Sequence, residues 1–352
     1  MEVIFMKRFL IFTLALFLSL MTVSNALAFQ NKQVWRYKVD IGVTGGIAIS
    51  ENTLFAGDLS GKFYAVQKSN GRLKWNYAGT NTVTGTPVLI GNEYVIFAQE
   101  DGTITCLDAN NGEEIWIIEP ETERDTVVSG AVLGDGKVFI SRSNGKLCAY
   151  DESDGHLLWE YESKLQDLRN APAIGDGYVF LGEQNGLMSI LNPQTGERVN
   201  GGGAGGPINT PIVNGGNVYY SSWTGSVYAV KIKDVIPLWE ISVQEPITTA
   251  PSFGDNKLFV GTASGKIIAI AAGNGDISWT FETGGANVAV PPVYGDGLVF
   301  CGASEGNIYV LNAETGKVKF TIKSEHGLDA SPVYEKGILY YGSEDGYLHA
   351  VK

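Results

Sequence analysis

Histidine and cysteine are scarce in this chain, three of each among 352 residues. His156, His326 and His349 stand far apart, which argues against a zinc site or a histidine-centred triad. Cys106, Cys148 and Cys301 are odd in number and never adjacent, so buried free thiols are expected rather than a disulfide scaffold. Cations are few as well: 25 Lys and Arg against 38 Asp and Glu give a net charge of −13. A surface of that sign repels phosphate backbones and anionic lipid, so neither nucleic acid nor a membrane surface is an expected partner. Amphipathic helical periodicity is missing. Beyond residue 28 no apolar run is long enough to cross a bilayer, so no membrane span is expected in the mature chain.

The first 28 residues read as an export signal. Lys7 and Arg8 form a short basic region, Phe9 to Met21 is almost wholly apolar, and Ala26-Leu27-Ala28 supplies the small-x-small cleavage pattern. Met6 serves as well as Met1 for the start, because Met6-Lys7-Arg8 opens a signal in the usual way. The mature protein is therefore expected in the periplasm or outside the cell. No cysteine lies near the cleavage point, so a lipoprotein is not expected.

What the chain does have is glycine, 45 residues of it, arranged with a period. Eight two-residue turns end in glycine: Ser60-Gly61, Asp101-Gly102, Asn144-Gly145, Asn185-Gly186, Thr224-Gly225, Ser264-Gly265, Glu305-Gly306 and Asp345-Gly346. Their spacings are 41, 43, 41, 39, 40, 41 and 40 residues. Each turn joins an apolar strand such as Leu54-Phe55-Ala56-Gly57 to a second such as Phe63-Tyr64-Ala65-Val66. Upstream lies a short strand of small residues with proline near its start, as in Ala171-Pro172-Ala173 and Ser331-Pro332-Val333. A fourth strand carries tryptophan four residues after a glycine. Such a period of four short strands implies an all-β, eight-bladed β-propeller with four-stranded antiparallel blades in one domain spanning 29–352. The mature chain opens on a lone outer strand, Gln33 to Tyr37, and ends on a third strand, Tyr347 to Val351. The N-terminal strand should complete the last blade and close the ring, and a monomer is expected.

At the junction of third and fourth strands the chain reads Ala149-Tyr150-Asp151-Glu152-Ser153-Asp154-Gly155, then Trp159, and likewise Asp108, Gly112 and Trp116. This resembles the docking motif of propellers related to pyrroloquinoline-quinone (PQQ) dehydrogenases, over essentially all of residues 33–352. The resemblance implies a structural blade-docking role for Trp35, Trp75, Trp116, Trp159, Trp239 and Trp279, with Phe320 in the last copy. It also implies that Gly71, Gly112, Gly155, Gly275 and Gly316, with Asp108 and Asp151, hold the turn that positions the indole.

The pattern fails at two neighbouring places. The fourth copy has Asn200 in the tryptophan slot followed by Gly201 to Gly206, broken only by Ala204; the fifth has Lys231 and Val235 for the Asp and the glycine. No Lys-Ser/Thr follows the glycines, so they are not a phosphate loop. A loosened outer strand or a flexible contact site is expected. Trp223 is the one tryptophan outside the docking position, in a hairpin turn where it should be exposed. With Arg124, Arg142, Arg169, Glu183 and Glu305 it forms the expected partner-binding set, on a face where acidic turns meet the loops entering the innermost strands.

No convergent catalytic group is apparent, so no catalytic residue, metal or cofactor is expected. The chain also resembles the BamB family, the eight-bladed subunit of the outer-membrane β-barrel assembly machinery, which lends its partners one loop face. That implies a non-enzymatic scaffold with a protein partner in the cell envelope. Two other readings stand beside it: a dehydrogenase using PQQ with calcium, and a carbohydrate or cell-wall binder using Trp223.

Overall fold

The computed structural model describes residues 29–352 apart from 123, 124, 165, 166, 289, 325, 326 and 329. The signal expected over residues 1–28 lies outside the described residues, as do Arg124 and His326. The chain forms eight four-stranded antiparallel sheets arranged as a ring, and no helix appears among the described residues. Seven blades are sequential: blade 1 over 43–78, blade 2 over 83–118, blade 3 over 132–162, blade 4 over 173–203, blade 5 over 212–242, blade 6 over 252–282 and blade 7 over 293–323. Blade 8 takes three strands from residues 333–351 and its outer strand, Gln33–Lys38, from the other end of the chain.

The eight glycine turns are built alike. In each, the glycine lies at φ between 80° and 97°, where a side chain is strained, and its N–H bonds the carbonyl three residues back. Pro172, Pro211, Pro251, Pro292 and Pro332 stand immediately before short innermost strands, where their missing N–H breaks no ladder. Pro87 lies inside its strand, at a register break.

The core is divided. Among the described residues there are eight apolar clusters, and each lies between two neighbouring blades. Adjacent residues of the second strand serve opposite interfaces, as alternation along a strand requires: Leu54 packs toward blade 8 and Phe55 toward blade 2. Cys106 of blade 2 and Cys148 of blade 3 meet in one such cluster, and all three cysteines are free and buried. Burial pushes the Cys106 thiol up to about 12 and raises Cys148 and Cys301 as well, so these thiols stay protonated.

Closure is non-covalent. Trp35 pairs with Ala350, Arg36 with His349 and Lys38 with Tyr347, while Lys32 and Lys352 exchange two backbone bonds of 2.8 Å. His349 stacks on Tyr341 with centroids 4.5 Å apart and lies 3.1 Å from Ser343 Oγ. Burial, with Arg36 nearby, lowers its pKa to about 4 although Asp345 pulls the other way. Phe29, immediately after the expected cleavage point, is buried against Phe300 and Phe320 at 5.3 and 5.8 Å. It pins the start of the described segment into the interface of blades 7 and 8.

Candidate functional site

The docking residues explain how one blade holds the next. Each indole N–H donates to a backbone carbonyl of the following blade: Trp35 to Lys68 at 2.8 Å, Trp75 to Ala109 at 3.2 Å and Trp116 to Glu152 at 3.3 Å. Trp159 reaches Pro193 at 3.0 Å, and Trp239 and Trp279 reach Ala272 and Ala313 at 2.9 Å. The glycine partner belongs to that same following blade. A β-carbon at Gly71 would stand 2.7 Å from the Trp35 ring, one at Gly112 2.8 Å from Trp75, and one at Gly316 2.7 Å from Trp279. Gly155 and Gly275 face Trp116 and Trp239 in the same way. The glycine thus clears space for the preceding blade's indole, besides closing at positive φ the turn that leads to its own blade's outer strand. Gly196, absent from the expected set, does this for Trp159. Asp108 and Asp151 hold the turns by accepting backbone N–H bonds, from Asn110 at 2.7 Å and from Ser153 at 2.9 Å.

One face of the ring collects the hairpin turns and the loops that enter each next blade. Val127, Ile208, Ile247 and Val288 in those loops bridge to Arg142, Ser222, Thr262 and Ala303, each three residues before a turn glycine. Two expected contact residues, Arg142 and Glu183, occupy this position, and both are buried there. Arg142 is buried: its guanidinium donates to the Asp125 carbonyl at 3.0 Å, the Gly102 carbonyl at 3.3 Å and Tyr150 Oη at 2.9 Å. Glu183 is fully buried and accepts from Ser189 and Ser163 hydroxyls at 2.6 Å and Tyr161 at 3.1 Å. Neither side chain is offered to a partner, which corrects the expectation for both. Asp58, at the same position, is likewise enclosed and bonded to Ser60, Lys62 and Tyr64.

The next turn positions do protrude. Trp223 is 54% exposed, its backbone N–H fixed on the Pro207 carbonyl at 2.9 Å. Gly206 passes close to Thr224 of the same turn, so the end of the glycine run borders this hairpin. Arg169 is exposed and pairs with Asp167 at 3.1 Å. Glu305 is exposed and accepts from Tyr309 Oη at 2.8 Å. Between the loop into blade 2, the hairpin turn of blade 2 and the loop into blade 3 lies an open acidic depression with Glu100, Asp101 and Glu121 in its wall.

The fourth outer strand, Arg198–Gly203, is not loosened: it keeps full pairing with Leu187–Leu191. Its irregularity is in side chains. Asn200 is exposed and turns back on its own chain, accepting from Gly201 N–H at 2.8 Å. Across the interface Val235 sits at φ +51°, a conformation poorly suited to a β-branched residue.

Among the described residues one trio, Asp151, Asp154 and His156, brings possible metal-ligating atoms within 4.8 Å. Its bonds are already spent within a docking turn, Asp154 on His156 Nδ1 at 2.6 Å and Asp151 on Ser153. Calcium needs six or more oxygens at one place, and this exposed turn on the rim does not supply them. No helix of the described residues is long and apolar enough to cross a membrane.

Fold, repeat and docking geometry together define an eight-bladed propeller of the quinoprotein-like repeat class. The family model described as "Outer membrane protein assembly factor BamB" matches residues 22–239 and 236–352, and the chain belongs to that family. The protein of that name from Yersinia pestis is 26% identical over 291 residues, covering 72% of this chain and 71% of its own. The Shewanella oneidensis protein is 23% identical and covers 68% and 53%. The crystal structure of BamB from Moraxella catarrhalis superposes with a TM-score of 0.77 at 19% identity, over 90% of this chain and 98% of that one. A shorter likeness, 28% over 105 residues, is to the 1-butanol dehydrogenase (cytochrome c) of Thauera butanivorans, of which it covers 15%.

Proposed function

We propose that this chain is an exported, non-enzymatic scaffold of the cell envelope that takes part in outer-membrane protein assembly. The observation that carries this reading is the family match along both halves of the ring. The docking face would be the turn side, with Trp223 as a hydrophobic anchor and Glu305 and the Glu100–Asp101 depression as acidic contacts. An exposed indole on a rigid hairpin has little side-chain freedom to lose on binding, and a net charge of −13 favours a basic partner surface. No cofactor is proposed. Deleting the gene should lower the amounts of outer-membrane β-barrel proteins, and the wild-type chain should restore them. Trp223→Ala should restore them incompletely while melting at the same temperature. An unaltered outer-membrane proteome in the deletion strain would overturn the reading.

The Thauera likeness favours a second reading, a PQQ-dependent dehydrogenase. Mixing the purified chain with PQQ and calcium tests it: tight binding with dye-linked alcohol oxidation would support that activity in place of the scaffold.

A further inference from the structure

Six blade interfaces hold an indole over a glycine; the interface of blades 4 and 5 lacks both partners and forms an open-sided pocket of about 320 Å³. Its blade 4 wall is Met188, Ile190 and the bare backbone of Gly201 to Gly203. The blade 5 wall carries Tyr220 and Tyr228, stacked at 4.8 Å and 14°, with Val235 and Leu238. Asn200, at the tryptophan position, folds onto its own backbone and leaves the space empty. The carbonyl corresponding to the six indole acceptors is that of Ile232, three residues before Val235. It accepts a 3.3 Å bond from Val235 N–H and is not among the groups that line this cavity, so the slot is defined by its shape and its apolar and aromatic walls.

We propose that this junction is a binding slot for a planar aromatic ring of indole size. The chemistry follows from the repeat itself, since the same frame holds an indole elsewhere in the ring. A mostly apolar pocket of this kind gains dispersion contacts from a flat arene that fits. The tyrosine pair offers ring faces to stack on, and the glycine backbone offers a close, flat approach. Val235 occupies the place where the slot's glycine would stand, so it narrows the slot without filling it. None of the turn residues assigned above to the docking face lines this cavity.

The test uses the full mature chain titrated with indole and, separately, with N-acetyltryptophanamide, read by methyl NMR on Met188, Val235 and Leu238. Saturable shifts with Kd below about 1 mM are expected for at least one probe. Binding by the amide assigns the slot to a tryptophan side chain of a partner; binding by indole alone assigns it to a free small arene. The double variant Asn200→Trp with Val235→Gly fills the slot from within and should weaken either probe at least about 10-fold. Gly202→Leu, which faces open space across from Tyr220, provides an independent plug should the double variant fail to fold. Absence of saturable shifts with both probes, or shifts that survive a folded plugged variant, would overturn the proposal.

Discussion

The interface of blades 6 and 7 and that of blades 4 and 5 are built on the same frame and solve the same packing problem differently. In the first, Trp279 lies over Gly316 and donates to the Ala313 carbonyl. In the second, Asn200 turns away and Val235 takes the glycine position at φ +51°. Loss of the indole removes the steric demand for glycine in the neighbouring blade, and a side chain has returned there despite the backbone strain. The tryptophan of one blade and the glycine of the next therefore act as one unit, although 37 residues separate Trp279 from Gly316.

Several substitutions would break or sharpen this contrast. The largest effect is expected at the seam, where deleting residues 33–40 removes Trp35 and a whole strand. The thermal transition should drop steeply or vanish, and an unchanged melting temperature would refute closure by this strand. Trp279→Ala should cost about 3–5 kcal/mol in chemical denaturation, the range for emptying a buried aromatic site. Asn200→Ala, at the equivalent but exposed position, should stay within about 0.5 kcal/mol.

The seam also gives a pH signature that the regular interfaces lack. His349 titrates near 4 when folded, against 6.5 in an unfolded chain, so between these values the unfolded state binds more protons. Stability should be full above pH 6.5 and fall as pH drops toward 4, by at most about 3 kcal/mol. His349→Gln should remove this His-dependent loss relative to wild type. Smaller again, Gly316→Ala should cost about 1–3 kcal/mol, since φ is +69° and the new methyl meets the indole. Val235→Gly should have the opposite sign or none, stabilising by up to about 1 kcal/mol as strain is relieved.

Much of this architecture was legible in the sequence because the repeat is visible in its glycines. Blade number, antiparallel sheets and closure by the N-terminal strand follow from the spacing of the repeat, the exposure of Trp223 from its place in a hairpin turn, and the docking role of the six tryptophans from the resemblance to the quinoprotein-like repeat. The partner of each glycine was not legible, because chain proximity points to the tryptophan four residues on while the contact is made to the preceding blade. Arg142 and Glu183 were misplaced for a related reason. A charged residue beside a turn reads as solvated, but the position three before the glycine lies under the loops that connect the blades. Phe29 gave no signal, since it abuts a cleavage pattern and its partners lie some 270 or more residues away. The irregular junction announced itself through Asn200, Val235 and the glycine run; that it leaves a cavity rather than a loose strand depends on side chains from five strands.

The most direct test of the paired unit is a double-mutant cycle on Asn200→Trp and Val235→Gly, read by chemical denaturation. The account predicts that the two together stabilise the ring by about 1–2 kcal/mol more than the sum of the single changes, because the new indole can lie flat only where the valine is gone. Additivity within about 0.3 kcal/mol would contradict it.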